Sequence, residues 1–178
     1  MSDKTGKNIL LALTSGLLLG LPWSVPALFF VVFLAWLPLL LLEEKVRFQK
    51  NSYAIFNYAL VSFLLWNILA TWWIAKVQFV GAILIILANS LLQALIFWLA
   101  SRIRTILGIP LLFPFLLIWM GYEHFHLAWD LAWPWLNLGN ALATSPQLIQ
   151  WYEYTGVRGG TLWIILTNFA LLRVYCIY

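Results

Sequence analysis

The side chains best suited to chemistry lie together at 123–126, where a glutamate precedes a His-x-His pair. His124 and His126 could ligate a metal, but residues two apart point to different faces of a helix. The sequence contains no third histidine and a single cysteine, Cys176, whereas a zinc site needs about four ligands. No histidine lies beside Cys176 to activate it. We therefore predict no metal, no cofactor and no catalytic residue in this chain.

Glu123 closes an uncharged apolar run and has three interpretations. It could be a solvated carboxylate at a helix end, it could accept a hydrogen bond from a substrate amine, or it could anchor the following loop. The segment 123–158 that follows is rich in the residues that prefer the membrane interface, namely Trp129, Trp133, Trp135, Trp151, Tyr152 and Tyr154. We expect this segment to lie along the membrane surface as an aromatic belt or beside a lipid-binding cavity.

The elements that position these residues must be membrane helices. The 178 residues are 64% hydrophobic and 9% charged, with a mean hydropathy of +0.93, whereas soluble domains are about 25% charged. Backbone polar groups in hydrocarbon must be paired within a helix. The net charge of +4 comes from basic residues between apolar runs, which argues against a nucleic-acid partner. The predicted fold class is an all-α, polytopic transmembrane bundle.

Uncharged runs predict about six spans in a single transmembrane domain, 1–178. The first run, 8–42, is too long for one span, and Pro22 and Pro26 favour a turn within it. It therefore predicts a short helical hairpin. The predicted spans are 9–21, 27–42, 53–75, 77–101, 105–122 and 159–175.

The basic residues predict the orientation of these spans. With a cytoplasmic N-terminus, the inner side holds Lys4, Lys7, Lys45, Arg47, Lys50, Arg102, Arg104 and Arg173. The outer side then holds only Lys76 and Arg158, as the positive-inside rule requires. This orientation places 123–158 on the outer side of the membrane. Amides inside the predicted spans are expected to form hydrogen bonds between helices, and they are Asn57, Asn67, Asn89, Gln93 and Asn168.

Three runs in the second half carry a family resemblance: WPWLNLGN at 133–140, SPQLIQ at 145–150 and TGVRGG at 155–160. Together with the run GLPW at 20–23, where the predicted hairpin turns, they resemble the apolipoprotein N-acyltransferase family of bacterial inner-membrane enzymes. Glu123 matches a carboxylate that the family often has at the end of its fifth span. The family often has an arginine three residues later, where this chain has His126.

The resemblance implies transfer of an acyl chain from a phospholipid to the N-terminal amine of diacylglyceryl-cysteine lipoproteins. It places this chain in the bacterial inner membrane, among membrane lipids, with 123–158 in the periplasm. The residues implied at the mouth of a lipid cavity are Trp133, Pro134, Trp135, Gly139 and Glu123. The residues implied to shape turns are Pro146, Gly156 and Gly159.

The family's chemistry belongs to a nitrilase-like domain with a Glu-Lys-Cys triad that follows the sixth span. This sequence does not contain such a domain, so we expect the chain by itself to be inactive. The alternative is a non-enzymatic protein that binds lipid or serves as a scaffold. A small transporter is less favoured, because the predicted spans contain no charged residue except Arg173 near the end of the last one.

Overall fold

The computed structural model describes residues 2–49, 53–129 and 132–177, and all regular structure in those ranges is helical. The α-helices are α1 Ser2–Ser24, α2 Leu37–Val46, α3 Ala54–Thr71, α4 Phe79–Leu107, α5 Leu112–Phe125, α6 Tyr152–Thr155 and α7 Val157–Ile177. Shorter 3-10 segments are Pro26–Phe33, Trp72–Lys76, Pro134–Leu136, Leu138–Leu142 and Pro146–Leu148. The predicted all-α class is confirmed.

Four segments within the described ranges are long and apolar enough to cross a membrane: Pro26–Val46, Ala54–Lys76, Phe79–Leu107 and Val157–Cys176. The chain is therefore a polytopic helical membrane protein. The number of six spans and their boundaries stay predictions.

The first apolar run is broken where the prolines predict a turn. Helix α1 ends at Ser24, and Val25 adopts an extended conformation (φ −132°, ψ 88°) because Pro26 disfavours helical geometry in the residue before it. Pro22 lies inside α1. The chain after Pro26 differs from one continuous helix over 27–42, since it forms a 3-10 segment and then α2.

The junction of α4 and α5 also differs from the predicted spans 77–101 and 105–122. Helix α4 continues past Arg102 and Arg104 to Leu107 and ends where Gly108 takes the left-handed conformation (φ 66°). Pro110 follows, and α5 begins only at Leu112. The charges do not end the helix, since arginine is a good helix former, and Arg104 pairs with acidic residues of α2.

A cluster of large aromatic side chains forms the centre of the bundle. Its fully buried members are Trp36, Phe63, Trp66, Phe97, Phe115 and Trp119. Ring centroids of Trp36 lie 4.9 Å from Phe115 and 4.8 Å from Trp119, in the edge-to-face arrangement that aromatic pairs prefer. The cluster joins the first hairpin to helices α3, α4 and α5.

Buried amides connect the helices, as predicted for most of them. Asn67 Nδ2 of α3 donates to Gln93 Oε1 of α4 at 2.8 Å. Asn168 of α7 accepts a hydrogen bond from the backbone N–H of Trp36 and donates one to the Val32 carbonyl, each at 3.0 Å. Asn57 is instead exposed.

Candidate functional site

Glu123 is buried at the end of α5, with 1% of its surface exposed. Its Oε1 accepts hydrogen bonds from Trp119 Nε1 at 3.1 Å and from the Leu138 N–H at 2.8 Å. Its Oε2 accepts from the Thr161 hydroxyl at 2.7 Å. The interpretation as a solvated helix-end carboxylate is wrong. Because the chain's own donors use both carboxylate oxygens, this geometry favours an anchoring role over a substrate contact.

Gly139 extends this hydrogen-bond network, because it links the connecting segment 123–158 to α7. Its N–H donates to Thr161 Oγ1 at 3.0 Å, and its carbonyl accepts from the Tyr152 hydroxyl at 2.9 Å. A side chain at 139 would overlap the Val157 carbonyl, so only glycine permits this approach. Burial, and then the negative charge of Glu123, raise the pKa of Tyr152 to about 12.

Three of the residues predicted at a cavity mouth, Trp133, Pro134 and Trp135, have different environments. Trp133 is half-buried and lines a cavity of 330 Å³ beside α4. Pro134 is exposed and begins a 3-10 turn. Trp135 is 58% exposed, its carbonyl accepts from Trp23 Nε1 at 3.0 Å, and its ring lies 6.2 Å from that of Trp73. Pro134 and Trp135 therefore present a surface, whereas Trp133 borders a cavity.

The predicted turn residues are distributed over the rest of the segment. Pro146 begins the 3-10 turn Pro146–Leu148. Gly156 joins α6 to α7 with φ 65°, a conformation that favours glycine. Gly159 lies inside the first turn of α7 rather than in the connection, and a side chain there would overlap Thr155.

The two histidines of the His-x-His pair contact different partners. His124 Nδ1 lies 2.7 Å from Arg158 Nη1, whereas His126 Nε2 lies 3.1 Å from Asn89 Oδ1 of α4. Burial lowers the pKa of the His126 imidazole, so this ring is neutral near pH 7.

A buried ion pair at the opposite end of the bundle was missed by the sequence analysis. Glu43 of α2 is fully buried and accepts from the Ser101 hydroxyl at 2.6 Å and from Arg104 of α4. Arg104 also donates to Glu44. The signal was that both charges stand at ends of apolar runs that the predicted orientation places on the same side of the membrane, where a basic and an acidic residue can meet.

This ion pair corrects the premise that membrane-spanning segments of this chain lack charged residues other than Arg173, which was used against a transporter. Glu43 and Arg104 both lie within segments that could cross the membrane, so charged residues do occur in such helices. They neutralise one another near the helix ends, which is the arrangement of a structural pair.

The fold and the Glu123 network define a polytopic membrane protein whose connecting segment is bonded to the bundle. Residues 15–170 match the family model described as the apolipoprotein N-acyltransferase N-terminal domain. The chain therefore belongs to the apolipoprotein N-acyltransferase family, as the sequence resemblance indicated.

Two curated relatives are both named apolipoprotein N-acyltransferase. The relative from Chlorobaculum tepidum is 31% identical over 98% of this chain and 33% of its own length. The relative from Geobacter metallireducens is 29% identical over 94% of this chain and 33% of its own length. The chain thus spans about a third of the length of these relatives. No solved structure matches this chain significantly.

Proposed function

We propose that this chain is the membrane portion of an enzyme that transfers an acyl chain from a phospholipid to the N-terminal amine of diacylglyceryl-cysteine lipoproteins. The family match and the bacterial relatives support this function. In this proposal the protein lies in the inner membrane with a cytoplasmic N-terminus, and 123–158 faces the periplasm as the positive-inside rule favours.

The observation that carries the proposal is the network at Glu123. The run 133–140, one of the runs that carry the family resemblance, is held against α5 and α7 through hydrogen bonds to Leu138 and Gly139. The buried carboxylate holds the backbone of this run at two adjacent residues, directly through the Leu138 N–H and through Thr161 to the Gly139 N–H. Preorganisation of this kind suits a surface that must position a lipid for reaction. The exposed Trp135 and Pro134 would then contact the acyl chains of the substrates.

The proposed chemistry requires a nucleophile from a nitrilase-like domain. There a cysteine thiolate attacks the ester carbonyl of the phospholipid, forms a thioester and releases the lysophospholipid. The lipoprotein amine then attacks the thioester, forms the amide and regenerates the thiol. In this scheme the exposed Cys176 of α7 is not the nucleophile, and the chain by itself transfers no acyl groups.

A chimeric enzyme tests this function. The membrane portion of the Chlorobaculum tepidum relative is replaced by this chain, and the product is reconstituted in phosphatidylethanolamine vesicles with a diacylated lipopeptide. We expect the mass of the lipopeptide to increase by one acyl group with the chimera and with the intact relative, but not with the chain alone. Transfer by the chain alone would refute its inactivity. A folded chimera without transfer, beside an active relative, would refute the membrane role.

A non-enzymatic lipid-binding protein is the second candidate. The observation that favours it is the cavity of 330 Å³ beside α4, whose largely apolar lining includes Leu84, Leu92 and Trp133 and could hold an acyl chain without any chemistry. This candidate predicts that the chain retains phospholipid while the chimera remains inactive.

A further inference from the structure

Trp135, one of the residues proposed to contact substrate, lies in a short turn on the surface of the bundle. The turn covers only Pro134–Leu136, and the Asn137 N–H closes it on the Pro134 carbonyl at 3.1 Å. Short 3-10 turns have poorer hydrogen-bond geometry than α-helices. Trp135 is also 58% exposed, so core packing does not fix its ring. Its position therefore depends on contacts with other elements.

The first such contact is a hydrogen bond from the end of α1. Trp23 Nε1 donates to the Trp135 carbonyl at 3.0 Å, which joins residues 112 apart in the sequence. The Trp23 ring lies 5.5 Å from that of Trp66 in α3, a fully buried member of the aromatic cluster. The neighbouring Ser24 hydroxyl donates to the Leu69 carbonyl of α3 at 2.9 Å. Because both residues are attached to α3, the last turn of α1 is a fixed support for the donor.

The second contact is an edge-to-face pair between Trp135 and Trp73. The ring centroids lie 6.2 Å apart with 78° between the ring planes, an arrangement that aromatic rings prefer. Trp73 belongs to the 3-10 segment Trp72–Lys76 that follows α3, and it is 43% exposed. Trp23 therefore holds the backbone of Trp135, and Trp73 orients its ring. Both rings of the pair keep part of their surface exposed, as a contact surface for another molecule requires.

These contacts act at a different point from the Glu123 network. That network bonds the run 133–140 at Leu138 and Gly139, three and four residues after Trp135. A bond of 2.8 Å from Asn140 Nδ2 to the Pro134 carbonyl lies within the run itself and does not tie it to the bundle. The Trp23 bond thus gives this run a second attachment to the bundle, at Trp135.

We infer that Trp23 and Trp73 are positioning residues for Trp135 in the proposed acyl transfer. The inference deepens the proposed function and rests on it, because Trp135 is there a contact for the acyl chains of the substrates. Trp23 and Trp73 act through Trp135 and need not touch substrate. A contact that is already ordered loses little conformational freedom on binding. Loss of either support should therefore weaken substrate binding rather than slow the chemical step.

A double-mutant cycle in the chimeric enzyme tests this action through Trp135. Trp23→Phe removes the indole N–H but keeps a ring against Trp66, so the fold should be retained. We expect the apparent KM for the phospholipid or for the lipopeptide to rise about two- to tenfold, the range for one hydrogen bond, with kcat within about twofold. In the Trp135→Ala background the same substitution should raise KM no further. An equal rise in both backgrounds, or no rise for either substrate, would overturn the inference.

Trp73→Leu provides a second, independent variant. It removes an exposed ring and leaves the bond between Trp23 and Trp135 in place. It should raise the same KM, and only while Trp135 is present. A rise that persists in the Trp135→Ala background would overturn the role assigned to Trp73.

Trp151→Phe is the matched control. Trp151 Nε1 donates to the Leu148 carbonyl at 2.8 Å, which is the same kind of bond in the same connecting segment. Its loss should leave KM and kcat unchanged. A rise in KM equal to that of Trp23→Phe would show that loss of any such bond has this effect, and the special role of Trp23 would fall.

Hydrogen exchange measures the support without any catalysis. The purified chain is held in detergent micelles, and mass spectrometry follows amide exchange in the peptide 133–137. Trp23→Phe should accelerate this exchange about two- to tenfold, because the turn detaches more often, whereas Trp151→Phe should not. Unchanged exchange in a folded Trp23→Phe variant would overturn the inference even if the chimera were inactive. Accelerated exchange beside an inactive wild-type chimera would refute the proposed function but not the support, so the two failures are distinguishable.

Discussion

Replacement of Glu123 by alanine should destabilise the protein more than removal of other carboxylates in the same segment. The carboxylate accepts from Trp119, Leu138 and Thr161, and all three partners are largely or fully buried. A buried donor without an acceptor costs about 1–3 kcal/mol, which gives about 3–9 kcal/mol for three donors. The wild type also bears the cost of burying a carboxylate, so we expect the lower part of this range, about 3–5 kcal/mol.

The thermal midpoint in detergent provides the assay. For a chain of this size, 1 kcal/mol shifts the midpoint by about 2–4 °C, so Glu123→Ala should lower it by roughly 6–20 °C. Glu123→Gln keeps one acceptor oxygen for Trp119 and Leu138 and should lose less than half as much. Limited proteolysis should show earlier cleavage within 133–150 in the alanine variant, because the anchor of this run is lost.

Glu153 provides the control, since it is an exposed carboxylate of α6 in the same connecting segment. Glu153→Ala should leave the midpoint within the change expected for surface substitutions, about 0.5 kcal/mol. If Glu123→Ala lowers the midpoint no more than Glu153→Ala does, Glu123 is not the anchor of this segment and the reasoning fails.

Three further predictions concern other parts of the bundle. Gly139→Ala should destabilise by about 1–3 kcal/mol through steric overlap, whereas Gly121→Ala, in open space on α5, should be neutral or slightly stabilising. Arg104→Gln should cost about 3–5 kcal/mol, because it leaves the buried Glu43 carboxylate without its cation. Burial lowers the pKa of His126 in the folded state, so the stability that this group contributes is present above about pH 6.5 and declines as the pH falls below it.

Thermal midpoints check each of these predictions. Equal effects of alanine at 121 and at 139 would contradict the close approach assigned to Gly139. Arg102→Gln is the control for Arg104, and an equal loss in both would show that only net charge matters. His126→Gln should reduce the decline in midpoint between about pH 7.5 and pH 5.5. An unchanged decline in the His126 variant would assign the titration to another group.

The elements that depend on local chemistry could be predicted from the sequence. The break near Val25 follows from Pro26 directly after it, whereas Pro22 stays inside α1, and the all-helical class follows from long apolar runs with few charges. The extent of α4 could not be predicted from uncharged runs. Arginine is a good helix former and is favourable near a helix C-terminus, so α4 continues through Arg102 and Arg104. The pairing of Arg104 with Glu43 of another helix exists only in the tertiary structure.

The candidate site, too, could be predicted from the sequence only in part. The resemblance identified the run that contains Trp133 and Gly139, and an anchoring role was one of the open interpretations for Glu123. The partners of Glu123 were not evident, because Thr161 is 38 residues away in the sequence. The contact of His126 with Asn89 likewise joins residues 37 apart, so it appears only when the end of α5 packs against α4.

The hydrogen bonds of Asn168 have a consequence for biogenesis. The backbone N–H of Trp36 and the carbonyl of Val32 lie in the interrupted stretch between α1 and α2, and both bond to this side chain of α7. The ribosome synthesises α7 more than a hundred residues after that stretch. Until α7 has inserted, the second segment enters the bilayer with main-chain groups that lack these final partners. A nascent chain that stalls before Asn168 should therefore be recognised by membrane quality-control proteases, although its earlier helices are already in the membrane.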